Sequence, residues 1–244
     1  MLFRSQTAYH QAQIGDAAGA AATIASAGPY LATLRSAEPS GSISVSIVDA
    51  LAKLPTVGAA FQVDDYPSAQ RLVKDTIKEL EATKPAGGFQ ESQKYISLFV
   101  AYHFKGRVDY MLGDYAGSER AERASMEERK HAPIEAVSDR RDMGELSTWL
   151  AMAIARQGRL AEAAQVIEPV VKFQRELAAK NHGDQWQPAE LAAALYAQAL
   201  ADKQKRTALL HEAVAKLDAL PVTLHGLHDV RLFRGLLSAA ERGT

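Results

Sequence analysis

Asp64-Asp65 is the first place where residue type and spacing suggest chemistry, because two close carboxylates push their pKa values apart and can then divide acid and base roles. The pair stands beside Pro67 at the head of a helical run. Acids at a helix start interact favourably with the helix dipole, and that is the role expected of it. His225 and His228 share an i, i+3 spacing that puts two imidazoles on one helical face. The nearby carboxylate, Asp229, is expected to point elsewhere, and two ligands do not close a zinc site. Gly15 and Gly19 flank Asp16-Ala17-Ala18 with no strand before them, so they read as turn chemistry. No G-x-x-x-x-G-K-S/T, G-x-G-x-x-G or G-x-S-x-G string occurs. No catalytic residue, metal site or cofactor is therefore expected.

The elements that would have to position such groups are helical. The 244 residues include 45 alanines, 16 glycines and 9 prolines, with 47% hydrophobic residues. Alanine is the best helix former and is depleted in strands, so an all-α chain is predicted. The near-neutral charge of −1 carries no basic surplus for nucleic acid. No run of about 20 apolar residues suggests a membrane span, and the absence of cysteine excludes disulfides and thiol chemistry. Met1 to Ser5 lacks a signal-peptide core, and a cytoplasmic location is expected, or a periplasmic one if the chain is part of a longer protein. A helix starting almost at residue 1 suggests the detached C-terminal part of a longer chain.

A turn recurs along the sequence at Gly15-Asp16-Ala17, Asp64-Asp65-Tyr66, Gly113-Asp114-Tyr115, Gly158-Arg159-Leu160 and, more weakly, Gln204-Lys205-Arg206. The intervals are 49, 49, 45 and 46 residues. Leu146, Trp149, Leu150, Ala153 and Ile154 form an apolar face before the fourth turn, and Ala163, Ile167, Val170 and Val171 form one after it. Pro169 is expected to kink or end that second helix. Leu191, Leu195, Tyr196 and Leu200, then Leu209, Leu210, Val214 and Leu217, repeat the pattern. A last helix, residues 227–242, carries Val230, Phe233, Leu237 and Ala240. The five-residue alternation Ile43-Ser44-Val45-Ser46-Ile47 resembles a strand, but the helical continuation favours a helix. The mixed charges from Glu119 to Asp142 read as a solvated face with Glu119 and Arg123 paired at i, i+4. Trp149 is expected in the core, and Trp186, in a linker, is expected to pack.

Ala155-Arg156-Gln157-Gly158-Arg159-Leu160-Ala161-Glu162-Ala163-Ala164 resembles the middle of a tetratricopeptide repeat (TPR), as do Tyr110 to Gly117 and Gln13 to Ala20. A small residue closes the first helix, an aromatic or aliphatic residue opens the second, and an early alanine allows close crossing. The period exceeds the family's value of about 34. Ser118, Glu122 and Ser125 stand where packing residues are usual, and the second unit lacks the turn glycine. The resemblance implies one right-handed α-solenoid domain over residues 1–244. Its five antiparallel hairpins would cover residues 1–35, 43–83, 94–131, 144–180 and 188–221, with a capping helix after them and no cap before the first.

In such an array the first helix of each hairpin lines a concave face. That face would expose His103, Arg107 and Tyr110, then Thr148, Met152 and Arg156, then Gln198, and hold a peptide or partner helix. The two arginines would favour an acidic ligand or a C-terminal carboxylate. The expected function is a non-catalytic protein-interaction module, by resemblance part of a bacterial signalling or regulatory protein. The alternatives are a scaffold that self-associates or docks on an upstream domain through its uncapped N-terminal hairpin and, more remotely, an all-α hydrolase.

Overall fold

The turns within the helix pairs are three or four residues long, and the three best defined are built the same way. At each, the first helix ends in a left-handed residue: Asp64 with φ 62°, Gly113 with φ 81° and Gly158 with φ 82°. The next residue's amide reaches back five residues, Asp65 to the Ala60 carbonyl at 2.9 Å, Asp114 to Asp109 at 2.9 Å and Arg159 to Ile154 at 3.3 Å. This closure satisfies carbonyls that the helix end would otherwise orphan. At two of these turns the same residue caps the helix that follows. Asp65 accepts from the Ser68 amide at 3.2 Å and Asp114 from the Gly117 amide at 2.8 Å. Asp16 does the same with Gly19 at 2.8 Å, after its own amide bonds the Gln11 carbonyl at 2.9 Å. One residue thus ends one helix and starts the next, which folds the chain back on itself.

The computed structural model describes residue 11 and residues 16–37, 43–84, 88–131, 136–180 and 184–242. The predicted first helix of the N-terminal hairpin and most of the polar links between hairpins lie outside these residues. The described elements are all helical: α1 (Ala17–Ala37), α2 (Ile43–Gln62), α3 (Tyr66–Ala82), α4 (Phe89–Met111), α5 (Tyr115–Arg129), α6 (Ala136–Arg156), α7 (Leu160–Lys180), α8 (Gln187–Ala201), α9 (Arg206–Asp218), a 3-10 turn (Val222–Leu224) and α10 (His228–Glu241). No strand occurs among the described residues, and residues 43–47 open α2. None of the described helices is long and apolar enough to cross a membrane.

The helices form two compact units, residues 1–135 and 136–244. In the first, each helix packs on the next, and α2 also packs on α4, so the first helices of successive hairpins are neighbours. Phe61, Val73, Leu80 and Val108 form its buried centre. In the second unit α8 is the hub, touching α6, α7, α9 and α10. Its sequence explains this: Leu191, Ala192, Ala194, Leu195, Tyr196, Ala197 and Ala199 are all buried, and a helix apolar all round must be enclosed. The small alanines let neighbours approach closely, so Phe233 of α10 reaches Tyr196 at 6.2 Å between ring centroids and Trp149 of α6 at 5.8 Å. Each such aromatic contributes on the order of 2–3 kcal/mol by leaving water.

Pro169 does not end α7, which runs unbroken through it. The proline is exposed, so a carbonyl it frees can turn to water, while Ile167, Val170 and Val171 hold the buried face. Trp186, expected to pack, is 47% exposed.

Candidate functional site

The flank expected to be open on α4 is largely internal. Arg107 is 6% exposed and lies over the Phe61 ring of α2, its guanidinium carbon 4.7 Å from the centroid. Tyr110 is 4% exposed and packs edge-on against Tyr115 at 5.2 Å. The first correction follows from α2 packing on α4, and the second from Tyr115 of α5. His103 remains partly exposed, and its Nδ1 donates to Glu122 Oε2 at 2.9 Å, a carboxylate wholly buried on α5. Glu122 fits there because Gly106 has no side chain: a Cβ at that position would stand 2.2 Å from Glu122 Oε1. Ser125 Oγ donates to the Phe99 carbonyl at 2.7 Å, and Ser118 is fully buried in the same helix. The three polar residues that depart from the repeat pattern therefore form a buried seam between α4 and α5.

In the second unit the same correction applies to two of four residues. Thr148 is 4% exposed and its hydroxyl donates to the Gly144 carbonyl at 2.8 Å, while Met152 is fully buried. The reason is α8, which packs on α6 and carries Tyr196 and Leu195 into its flank. Arg156 is exposed and donates to the Tyr196 hydroxyl at 3.1 Å, and Gln198 is half-buried. Four of the seven expected residues, Arg107, Tyr110, Thr148 and Met152, are thus buried within their own units. His103, Arg156 and Gln198 are the ones with access to solvent.

An ion-pair network missed in the sequence ties α6, α7 and the start of α8 together. Arg141 Nη2 reaches Asp184 Oδ2 at 2.5 Å and Glu190 Oε1 at 3.1 Å. Gln174 Nε2 donates to Glu190 Oε2 at 3.1 Å, and Gln187 Nε2 donates to the Gln174 carbonyl at 2.7 Å. Burial pushes the Glu190 carboxyl above its ordinary pKa despite Arg141. Burial pushes Asp184 the same way, but the Trp186 amide and Arg141 outweigh it and hold that carboxyl below its usual range. Residues 140 and 141 sit in a mixed-charge run whose composition gives no sign that one arginine is half-buried in an ion-pair network. Arg140, its neighbour, lies over the Phe173 ring at 4.7 Å, beside a shallow groove lined by Phe173, Glu176, Leu177 and Lys180.

The candidates for chemistry resolve into local structure. Asp65 is a helix cap, and Asp64 accepts from the Tyr66 hydroxyl at 2.5 Å. Gly19 lies under the Asp16 carboxylate, so the amide a phosphate would use is already taken. His225 Nε2 donates to the Leu220 carbonyl at 3.0 Å, and His228 is buried with its Nδ1 bonded to Asp229 at 3.1 Å. Asp229, expected to point away, is thus that histidine's partner. Tyr66 and Tyr102 are both raised above the ordinary phenol range, first by burial and then by Asp64 and Glu81 respectively, which disfavours phenolate chemistry. Among the described residues no group of three or more His, Asp or Glu side chains could hold a metal ion. Protein-family models, curated proteins and solved structures yield no match to this chain.

Proposed function

We propose that the chain is a non-catalytic protein-interaction module built from TPR-like helical hairpins stacked as a right-handed α-solenoid. The observation that supports this best is the shared hairpin turn, with its left-handed residue at 64, 113 and 158 and a reach-back bond after each. Contacts between first helices, α2 with α4 and α6 with α8, join hairpin to hairpin as stacking requires. A stack of repeats presents a surface longer than any single hairpin, which suits an extended peptide or partner helix. Of the expected contact residues, Arg156 and Gln198 supply such a surface on α6 and α8 of the second unit, and His103 is the one that keeps solvent access in the first.

The test is affinity capture on the intact chain and on Arg156→Glu and Gln198→Glu variants, with helical content checked by circular dichroism. A specific partner retained by the wild type and lost from the variants supports the module. Identical retention by all three excludes this flank as the contact. A mass that rises with concentration would then favour the self-associating scaffold.

A further inference from the structure

Two consecutive arginines at the start of α6 are used differently. Arg141 is committed to Asp184 and Glu190 inside its own unit. Arg140 is exposed and lies over the Phe173 ring of α7, its guanidinium carbon 4.7 Å from the centroid, and no carboxylate among the described residues pairs with it. An arginine over an aromatic ring without a carboxylate partner still has its N–H fork to offer, and that fork binds a carboxylate with two hydrogen bonds. Phe173, Glu176, Leu177 and Lys180 follow at i, i+3, i+4 and i+7 along the C-terminal half of α7, so they share one face. The two apolar members are half-buried and form the floor of the groove, while Arg140 and Lys180 are exposed beside it with one acid, Glu176. The groove is therefore apolar below and net positive at its rim.

Its walls are held in place from behind. Gln174, the residue after Phe173, is bound to Glu190, and Arg141 anchors α6 to Asp184 and Glu190. A surface already fixed in this way loses little freedom on binding.

We infer that this α6–α7 groove docks an acidic, apolar peptide segment, one that lays an aliphatic side chain on Phe173 and Leu177 while Asp or Glu side chains meet Arg140 and Lys180. The inference rests on the interaction reading above and names the chemistry of its partner, at a place distinct from the first-helix flank.

Titration of the intact protein with acetyl-Leu-Glu-Glu-Leu-amide, followed by NMR chemical shifts, tests it. Saturable shifts are expected at Phe173, Leu177 and the Arg140 Nε–H. The Leu-Gln-Gln-Leu and Ser-Glu-Glu-Ser counterparts should each bind about three- to tenfold more weakly, as loss of a charged contact or an apolar one at a surface requires. Arg140→Gln should produce the same loss, and Lys172→Gln, elsewhere on α7, should not. Equal affinity for the Glu and Gln peptides overturns the inference, and so do shifts confined to other basic surfaces. A partner captured through Arg156 but indifferent to Arg140→Gln also overturns it, while leaving the interaction module standing.

Discussion

Gly106→Ala should destabilise the first unit, although alanine is the better helix former by about 1 kcal/mol. The added Cβ would lie 2.2 Å from Glu122 Oε1, 2.7 Å from its Cδ and 2.9 Å from its Cγ. A flexible carboxylate at a surface would swing away, but Glu122 is fully buried and bound by His103. Overpacking a helix contact costs about 1–3 kcal/mol. Breaking the buried carboxylate's hydrogen bond with His103 costs about 1.5–3 kcal/mol more. After the helix-propensity gain, the net loss is about 1.5–5 kcal/mol. Gly144→Ala on α6 is the control, because its Cβ would meet Val170 Cγ1 at an ordinary 3.6 Å, and it should be neutral or gain up to about 1 kcal/mol. Urea unfolding measured by circular dichroism gives both midpoints. In a Glu122→Ala background the obstacle is gone, so Gly106→Ala should cease to cost stability. An equal cost in both backgrounds would refute the collision with Glu122.

The other expectations use the same measurements. Gly113→Ala and Gly158→Ala add a methyl group that meets nothing within 4 Å, yet each should lose about 1–2 kcal/mol because φ stays left-handed. Asp114→Ala removes a helix cap and should cost about 1 kcal/mol in the same urea titration. Asp184 has a folded pKa below its unfolded value, so its stabilising contribution is full above about pH 4 and is lost as pH falls through the folded pKa. A thermal-midpoint profile should therefore be flatter in acid for Asp184→Asn than for the wild type. Phe233→Ala opens a gap beside Trp149 and Tyr196 and should cost about 3–5 kcal/mol. Trp186→Ala, at an exposed site, should stay within about 0.5 kcal/mol.

The hairpin turns were legible because their chemistry is local. Gly113, Gly158 and the capping Asp114 announce a left-handed residue and a helix start without reference to the rest of the chain. Asp64 takes the same backbone with a side chain, so only its spacing marked it. The helix at residues 43–47 also followed from its continuation into α2. Exposure was not legible in the same way. Arg107, Tyr110, Thr148 and Met152 lie off the main apolar stripe, but Phe61 and the α8 hub supply a second packing surface that a single helix's periodicity does not reveal. Ser118, Glu122 and Ser125 fall where the repeat pattern expects packing, but what satisfies them is not legible, because the buried carboxylate depends on a glycine and a histidine on a different helix.

The most direct test of the interaction module is hydrogen exchange of the intact chain with and without its captured partner. Added amide protection is expected on the described surfaces of α6–α8, with binding weakened by Arg156→Glu and protection elsewhere unchanged. A partner that is chemically turned over, or one whose binding alters no helix of either unit, would contradict it.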